Sequence, residues 1–339
     1  MSQSGLIRDR QQRGAALLTA MVIVALIATL SAAMVWQQWR AVQVEAAERA
    51  RVQAHWILVG AMDWARLILR EDARSSSTVD HLGEPWAVPL AEAKLSSFLA
   101  ADRNNTATDA DAGVEAFLSG GISDAQSRYN LRNMVLADKE AAAAEAKVLA
   151  RLLESVGANT ELAAVVSANL RRALPPAPSA SDATGAQVTD MGTSEAGAPL
   201  PPDRLDQMRW LGLDAATLNK LGPYVTWLPI PTPVNLNTAP REVIAAVIDG
   251  LDLGSADRLV SARQSDPFKS LDDAARLLPQ GTELTKRRVG VASSHFEISG
   301  RLRLDDRVVE EHAWVQRRNM DVSTFAVERR AAVEAAAGR

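Results

Sequence analysis

The hydrophobic positions near the N-terminus form one uninterrupted run. Residues 15–35 contain no charged residue, proline or glycine, and about 20 such residues in one helix are enough to span a bilayer. Arg8, Arg10 and Arg13 precede the run, whereas basic and acidic residues are mixed after it. The short basic flank of a membrane segment normally stays in the cytoplasm. The pattern therefore predicts a membrane anchor that is followed by an exported C-terminal part.

Beyond this run the apolar positions lie on one side of a helix. Ile57, Trp64 and Ile68 recur at helical spacing, which is typical of an amphipathic helix. No proline interrupts residues 37–71, so the pattern predicts one continuous helix whose second half packs on a globular domain. A spanning helix followed by a separate soluble helix is the alternative, because Gly60 lowers helix propensity.

Glycine and proline divide the next part of the chain into short elements. We predict a short helix over residues 90–100, then strands over 114–118 and 127–135 that are joined through Gly120 and Gly121. The segment over residues 175–202 is rich in proline, alanine and serine, so it buries too little apolar surface to order and is expected to be a mobile connection.

The remaining pattern is helical until close to the C-terminus. Alternation over residues 294–304 and 308–317 predicts a closing β-hairpin. The order of helix, strands, helical block and strands predicts a helical domain inserted into an α/β domain. The predicted helices of the block cover residues 137–156, 161–174, 205–213, 214–221, 240–248 and 255–263.

Composition narrows the chemistry that this chain can perform. The 339 residues include no cysteine, which excludes disulfides and thiolate metal sites, and the formal net charge of -4 does not favour general nucleic-acid binding. The four histidines do not share metal-ligand spacing, and we find no nucleophile elbow, Walker or dinucleotide-binding pattern. The sequence therefore gives little support to an enzymatic role, although an exported membrane-bound enzyme remains a competing hypothesis.

The apolar run begins directly after Gly14. A secretory signal would have a shorter apolar segment with a small-residue cleavage site on its far side, but here the small residue at the charge boundary is on the near side. Cleavage between Gly14 and Ala15 would remove the basic leader and leave the helix on the mature protein. This pattern resembles a pilin or pseudopilin precursor, and an ordinary single-span anchor is the alternative.

Two segments further along carry a more specific resemblance. Tyr129-Asn130-Leu131 follows Arg128, and Val234-Asn235-Leu236-Asn237-Thr238-Ala239-Pro240 follows a Leu-Pro pair. Together with the processing pattern, these segments resemble the minor pseudopilin K family of type II secretion systems, and they occur in the order expected of that family. The residues that match the motifs of this family are Tyr129, Asn130, Leu131, Asn235, Asn237, Thr238, Ala239 and Pro240.

The resemblance implies an α+β fold of the type IV pilin kind, with a long N-terminal helix packed on an antiparallel sheet. It also implies a large inserted all-α domain of the helix-hairpin-helix or SAM-like type. The implied boundaries are 1–14 for a cytoplasmic leader, 15–36 for the transmembrane helix, 37–133 for the pilin-like helix and first strands, 134–290 for the inserted domain, 291–318 for the closing hairpin and 319–339 for a C-terminal tail.

Position five of the mature chain is occupied by Thr19 if Ala15 is the first residue. Pilins usually carry glutamate there, and a carboxylate inside a bilayer costs several kcal/mol unless a neighbouring charge neutralises it. The K-type pseudopilins resemble this chain in lacking that acid, which fits a subunit at the tip of a filament. In an ordinary anchor, Thr19 would make a hydrogen bond within its own helix.

Metal binding is a weaker hypothesis. Asp109, Asp111 and Glu115 lie close together in sequence and some relatives of the resembled family bind calcium. These residues lack a complete spaced ligand set, so a solvated acidic loop is the main interpretation and calcium the only cofactor considered. In the resembled family an acidic run follows the helix that matches residues 161–166, and Ser167-Ala168-Asn169-Leu170 stand in its place here, which makes the chain a divergent member.

Two other classes of protein share parts of this pattern. Residues 235–239, followed by Gly250, Gly254 and Arg263, also resemble the helix-hairpin-helix of membrane-tethered DNA-uptake proteins. Asp249 and Asp252 in the turn would repel phosphate, and the basic run at residues 286–288 is interpreted as a solvated helix end. A minor pilin of a type IV pilus would share the leader and helix without the large insertion.

The pseudopilin resemblance implies a complete, non-enzymatic function. The precursor would be cut by prepilin peptidase and N-methylated at Ala15. It would remain in the bacterial inner membrane with a cytoplasmic N-terminus and a periplasmic C-terminal domain. The expected partners are the I-type and J-type minor pseudopilins, the major pseudopilin and the inner-membrane secretion platform, with no nucleic acid. The expected role is nucleation of the pseudopilus at its tip.

Overall fold

A computed structural model describes residues 5–75, 78–95, 116–136, 138–174, 197–304 and 307–333 of the chain. It divides into two compact units, Met1–Val59 and Gly60–Arg339. Helix α1, Gly5–Arg74, begins in the first unit and ends in the second, and it is helical at Gly60. The continuous helix expected from the sequence is therefore confirmed. From Ala16 onward α1 is long and apolar enough to cross a membrane.

The second unit contains a five-stranded antiparallel sheet in the order β1-β2-β7-β8-β9. Its face packs on the last turns of α1 through Met62, Ala65 and Leu69, which join Phe296 and Val315 in one buried cluster. Apolar side chains at alternate positions of a strand share a face, which explains why one face of the sheet is buried. The strands are β1 Leu90–Lys94, β2 Ala116–Asp124, β7 His295–Leu304, β8 Arg307–Arg318 and β9 Asp321–Val333.

The helical part of this unit, residues 131–290, lies between β2 and β7 in the chain and has its own core. Leu149, Leu152, Val166, Ile244 and Leu259 are among its fully buried side chains. Small strand pairs, β3 Tyr129–Asn130 with β4 Val225–Thr226 and β5 Val234–Asn235 with β6 Val289–Gly290, are parallel. The α-helices are α2 Lys139–Ser155, α3 Leu162–Ala173, α4 Ala215–Leu221, α5 Arg241–Val247, α6 Leu253–Ser265 and α7 Leu271–Ala275.

The α+β class, the closing hairpin and the helices of the inserted block are confirmed, with boundaries shifted by a few residues. Residues 205–213 instead form a 3-10 helix, Leu205–Leu211. Side-chain caps mark several helix starts: Asp138 accepts from Ala141 N, Asp214 from Thr217 N and Asp252 from Ser255 N. Such caps satisfy backbone groups that have no partner within the helix. Most of the predicted mobile connection, residues 175–196, lies outside the described residues.

The prediction of two short strands joined at Gly120 and Gly121 is wrong, because β2 runs through both glycines. A Cβ atom at Gly120 would overlap the carbonyl oxygen of Ser299 on β7. The glycine therefore allows the two strands to approach each other, and it does not form a turn. Residues 127–135 contain only β3 as a strand. A 3-10 helix, Leu131–Met134, follows β3 and is capped by the Asn130 side chain.

Two edge elements also differ from their predictions. The helix expected over residues 90–100 is strand β1 at residues 90–94, where pairing with β2 overrides a weak helical pattern. The tail expected over residues 319–339 instead contains β9, which pairs with β8 along its length. Opposite charges set this register, since Glu311 lies opposite Arg329 and Glu310 lies opposite Arg330.

Candidate functional site

The two motif segments lie where the chain passes between the sheet and the helical part. β3 begins shortly after β2 ends at Asp124, and β5 pairs with β6 a few residues before β7 begins. Tyr129, Asn130 and Leu131 are fully buried, as are Asn235 and Ala239. The sequence motifs therefore form a junction, and their polar side chains must find partners inside the protein.

Asn235 is the centre of this junction. Its Nδ2 donates to the carbonyl oxygen of Asp80 at 3.0 Å, to Asp124 Oδ2 at 3.1 Å and to Ser293 Oγ at 3.0 Å. The Asp124 carboxylate also accepts from Thr238 Oγ1 and from Ser293 Oγ, both at 2.6 Å. One buried group of hydrogen bonds thus ties the end of β2 to the second motif and to the start of β7.

Asp124 is completely buried, and burial raises the pKa of its carboxyl because the charged form loses its hydration. The hydrogen bonds from Ser293, Thr238 and the backbone of Gln126 act in the opposite direction and lower that pKa. The carboxylate has no cation among these partners. A buried carboxylate that accepts hydrogen bonds from several neutral donors fixes the relative positions of the segments that carry those donors. Each donor forms its hydrogen bond only when it points at the carboxylate.

The other motif asparagines join backbone segments. Asn130 Nδ2 donates to the carbonyl oxygen of Ile230 at 2.8 Å, and Asn130 Oδ1 accepts from Leu228 N at 3.2 Å. Asn237 exchanges two hydrogen bonds with the backbone of Phe268, at 3.0 Å and 2.9 Å. These side-chain amides supply to residues 228–230 and to Phe268 the hydrogen bonds that a neighbouring strand would otherwise supply. Pro240 precedes α5 at its N-cap position, so the helix starts one residue later than the proline.

Tyr129 connects the first motif to a buried ion pair. Its hydroxyl donates to Glu145 Oε2 at 3.0 Å, and Glu145 Oε1 accepts from Arg288 Nε at 2.8 Å. Burial and the Glu145 carboxylate hold the pKa of Tyr129 well above its usual value of 10.0. The interpretation of Arg288 as part of a solvated helix end is therefore wrong, because the side chain is buried and also pairs with Asp249 at 2.7 Å.

Three carboxylates, Asp72, Asp80 and Glu84, have oxygen atoms within 4.8 Å of one another and are buried. Arg317 of β8 lies among them: Nη1 donates to Asp72 Oδ2 at 2.6 Å and Nη2 donates to Asp80 Oδ1. Glu84 accepts from Trp86 Nε1 at 2.7 Å. The guanidinium supplies the positive charge that a metal ion would otherwise supply, so the geometry favours a structural ion-pair group.

The calcium candidates Asp109, Asp111 and Glu115 lie outside the described residues. In the first unit, Gly14, Ala15 and Thr19 all lie in α1, and Thr19 is exposed on the helix surface.

Aromatic side chains mark the end of the apolar run. Trp36 and Trp39 lie with ring centroids 5.3 Å apart, and both rings are exposed. Tryptophan at this position of a helix is typical of a membrane-water boundary.

The partners of the motif residues, and the arginine that pairs with the buried carboxylates, were not identified from the sequence. Asp80, Asp124, Ser293 and Arg317 stand in segments that show no motif of their own. A single polar residue at the end of a strand gives no periodic signal. The one local indication is Asp124, the last residue of β2, because aspartate is a residue type that favours the N-cap position it occupies before the next 3-10 helix.

The features that suggested DNA binding have other roles. Arg263 is buried and donates to the carbonyl oxygen of Leu236 at 2.5 Å, and burial lowers its pKa to about 10. Asp249 pairs with Arg151 at 2.8 Å as well as with Arg288. Asp252 caps α6. These side chains are committed to internal contacts, so the helical hairpin acts as a packing unit and the DNA-binding alternative is not favoured.

Comparison with known proteins points to one family. Residues 127–230 and 234–292 match family models described as type II secretion system (T2SS), protein K. A type II secretion system protein K from Pseudomonas aeruginosa is 29% identical over 308 residues, covering 88% of this chain and 86% of that protein. Another from Klebsiella pneumoniae is 29% identical over 276 residues, covering 78% of each.

Similarity to a solved structure agrees with the fold. One chain of the crystal structure of the GspK-GspI-GspJ complex from the enterotoxigenic Escherichia coli type 2 secretion system superposes with a TM-score of 0.60 at 16% identity. The match covers 84% of this chain and 98% of that chain. The two family models together include both junction motifs, and the relatives match over most of their length, so the sequence comparisons support the resemblance to type II secretion system protein K and the solved structure supports the fold.

Proposed function

We propose that this chain is a non-enzymatic minor pseudopilin at the tip of the type II secretion pseudopilus, where it nucleates assembly for protein export across the outer membrane. The main support is the placement of the helical part, which is inserted between β2 and β7 of the sheet. A subunit that carries such a large insertion cannot stack repeatedly in a filament. It can cap one, and the other subunits then assemble below it.

The proposed partners are an I-type and a J-type minor pseudopilin, because the similar solved fold comes from a GspK-GspI-GspJ complex. The apolar part of α1 offers exposed side chains for packing against other helices in the bilayer, where van der Waals contacts drive association. Thr19 places no acid in that environment. The major pseudopilin and the inner-membrane platform would act after this first assembly. The function requires no cofactor, although calcium at residues 109, 111 and 115 stays a hypothesis.

Co-expression of the full-length chain with I-type and J-type pseudopilins is expected to yield a complex with one copy of each subunit. Native mass spectrometry of the detergent-extracted assembly measures its composition, and electron microscopy detects any filament. A chain that stays monomeric beside both partners at high concentration contradicts the partner assignment. A chain that forms filaments by itself contradicts the tip assignment, since a tip subunit should not polymerise.

We also propose that prepilin peptidase cuts the chain between Gly14 and Ala15 and that Ala15 is then N-methylated. In this proposal the chain is a single-pass inner-membrane protein, with its N-terminus in the cytoplasm and its C-terminal part in the periplasm.

Gly14→Val is expected to block cleavage, because a branched side chain replaces the small residue at the cut site. Intact-mass measurement should then find the uncut chain, with export of the secretion system's cargo abolished. Gly5→Val, elsewhere in the leader, serves as the matched control and should be processed normally. An uncut wild-type chain in a host with active peptidase contradicts the proposal.

A further inference from the structure

A groove of about 950 Å³ lies between the edge of the sheet and the helical part. On one side it is lined by Trp314 of β8 and by Phe325 of β9, and on the other by the 3-10 helix Leu205–Leu211 and by α4. Trp227 also lines it. The groove is therefore an aromatic surface between two parts of one compact unit, which the motif junction described above does not use.

Strand β9 forms the sheet edge beside this groove. β9 pairs with β8 on one side, and no described strand pairs with its other side. Residues 323–327 of β9 carry no charge, and Phe325 and Val327 are 40% and 54% exposed. An uncharged, exposed edge strand is a template for another strand, and proteins usually protect such edges with charges.

A β-bulge directs Phe325 toward the groove. The register between β8 and β9 shifts between Trp314 and Val315, so that Phe325 is the extra residue on β9. Its ring contacts His295 edge-on, with centroids 5.8 Å apart. Bulges re-aim side chains at sheet edges, and here the bulge adds an exposed aromatic ring to the groove without ending the strand.

The charge of the groove is positive. Five arginines and three carboxylates line it. Arg330 pairs with Glu328 at 2.8 Å and Arg204 with Asp206 at 3.5 Å. Arg132 is half-buried and lies 5.3 Å from the centre of the Trp227 ring. Among the described residues no carboxylate pairs with its guanidinium, so a ligand carboxylate would meet a partly desolvated cation, where ionic hydrogen bonds are strong.

We propose that this groove binds an extended segment of a smaller partner pseudopilin, which adds a strand to β9. The open edge supplies backbone hydrogen bonds, as in other cases of strand addition. The aromatic rings pack against an apolar side chain of the segment, and the Arg132 guanidinium donates to an acidic side chain of the segment. The inference takes the class of its partner from the proposed function. It adds the surface of this chain on which that partner docks.

Phe325→Lys tests the inference, because it places a charge in the middle of the open edge. The full-length chain in detergent is titrated with purified I-type and J-type pseudopilins, and binding is followed by biolayer interferometry. We expect Kd for one of the two partners to rise by about tenfold or more, since an aromatic anchor at the centre of an interface carries much of the affinity. Leu90→Lys is the matched control: Leu90 is 41% exposed and lies on β1 at the opposite edge of the same sheet. It should bind as the wild type does.

Two further measurements keep the inference independent of how well one variant folds. Arg132→Gln should also raise Kd for the same partner and reduce the dependence of binding on salt, because a charge pair has been removed. The exposed Arg276→Gln in the helical part is its control. Hydrogen exchange in the wild-type complex should become slower in the peptide that covers residues 321–333, as a new strand protects the edge amides.

The outcomes separate the inference from the proposed function. If the wild type binds neither partner, the proposed function fails and the groove loses its occupant. If the wild type binds and both Phe325→Lys and Arg132→Gln bind equally well, the proposed function stands and the groove assignment is overturned. If Phe325→Lys instead abolishes self-association of the chain and leaves partner binding intact, the groove binds a second copy, which also overturns the assignment.

Discussion

Replacing Arg317 with methionine is expected to destabilise the unit Gly60–Arg339 by about 3–5 kcal/mol at neutral pH, because it leaves buried carboxylates without their cation. The side chains of Arg317, Asp72 and Asp80 are only 8%, 6% and 1% exposed. Methionine fills a similar volume, so the loss reports on charge more than on packing. Urea unfolding of the full-length chain, followed by tryptophan fluorescence, measures the effect, and buried Trp86 beside Glu84 serves as a local probe.

The loss should depend on pH. Burial raises the pKa of Asp72 above its usual value of 3.8, and Arg317 is the main group that lowers it. A carboxyl whose pKa is higher in the folded state than in the unfolded state binds its proton more tightly when the protein is folded. Its ionisation therefore lowers the free energy of unfolding. This loss is absent below the unfolded pKa and grows as the pH rises through the folded pKa. Removing Arg317 raises that folded pKa further. The difference between variant and wild type should therefore be small below about pH 4 and reach its full size at neutral pH.

Arg318→Met is the matched control, because Arg318 is the next residue and is exposed. It should change the free energy of unfolding by no more than about 0.5 kcal/mol. A loss in Arg317→Met that equals that of Arg318→Met, or one that does not change between acidic and neutral pH, would show that the carboxylate group does not depend on this cation.

Gly120→Ala is expected to have the second largest effect, a loss of about 3 kcal/mol caused by overpacking between two strands. The new Cβ would overlap the Ser299 carbonyl oxygen, which is backbone and cannot move aside by rotating. β2 and β7 are paired on both sides of this point, from Ala116 opposite Leu304 to Asp124 opposite Phe296. Relief of the overlap would therefore separate two strands in the middle of the sheet. Thermal unfolding by circular dichroism measures the loss.

The neighbouring glycine provides the control. A Cβ at Gly121 would lie 3.7 Å from Pro89, which is ordinary van der Waals contact. Gly121→Ala should be neutral or stabilise the chain by up to about 1 kcal/mol, because alanine loses less backbone entropy in a strand. Equal effects of the two substitutions would contradict the close approach of β2 and β7 at Gly120.

Local patterns predicted much of this fold correctly. The long N-terminal helix, most of the inserted helices and the hairpin of β7 and β8 follow from the periodicity of apolar residues. The motif residues around Asn130 and Asn235 were also identified from the sequence. Their partners were not, because hydrogen bonds such as Asn235 to Asp80 join residues that are 155 positions apart.

The errors occurred where tertiary contacts override local preference. β1 resembles a helix in sequence and is a strand because β2 offers it backbone partners. β9 carries charged residues that obscure its alternation, yet these charges pair with β8. Gly120 resembles a turn residue and is instead a point of close approach between strands. In each case the deciding partner lies on another strand.

By itself, the sequence determined the apolar run before residue 36, the basic residues that precede this run, the helical block and the identity of the two motifs, since each depends on neighbours within a few residues. Only the tertiary structure decided which polar groups are buried together and why Arg317 lies among three carboxylates. It also decided that, among the described strands, only β8 pairs with β9, whose other side lies beside the aromatic groove. Periodicity records which face of an element is apolar. It does not record what that face meets, because burial and charge pairing arise only when distant segments pack together.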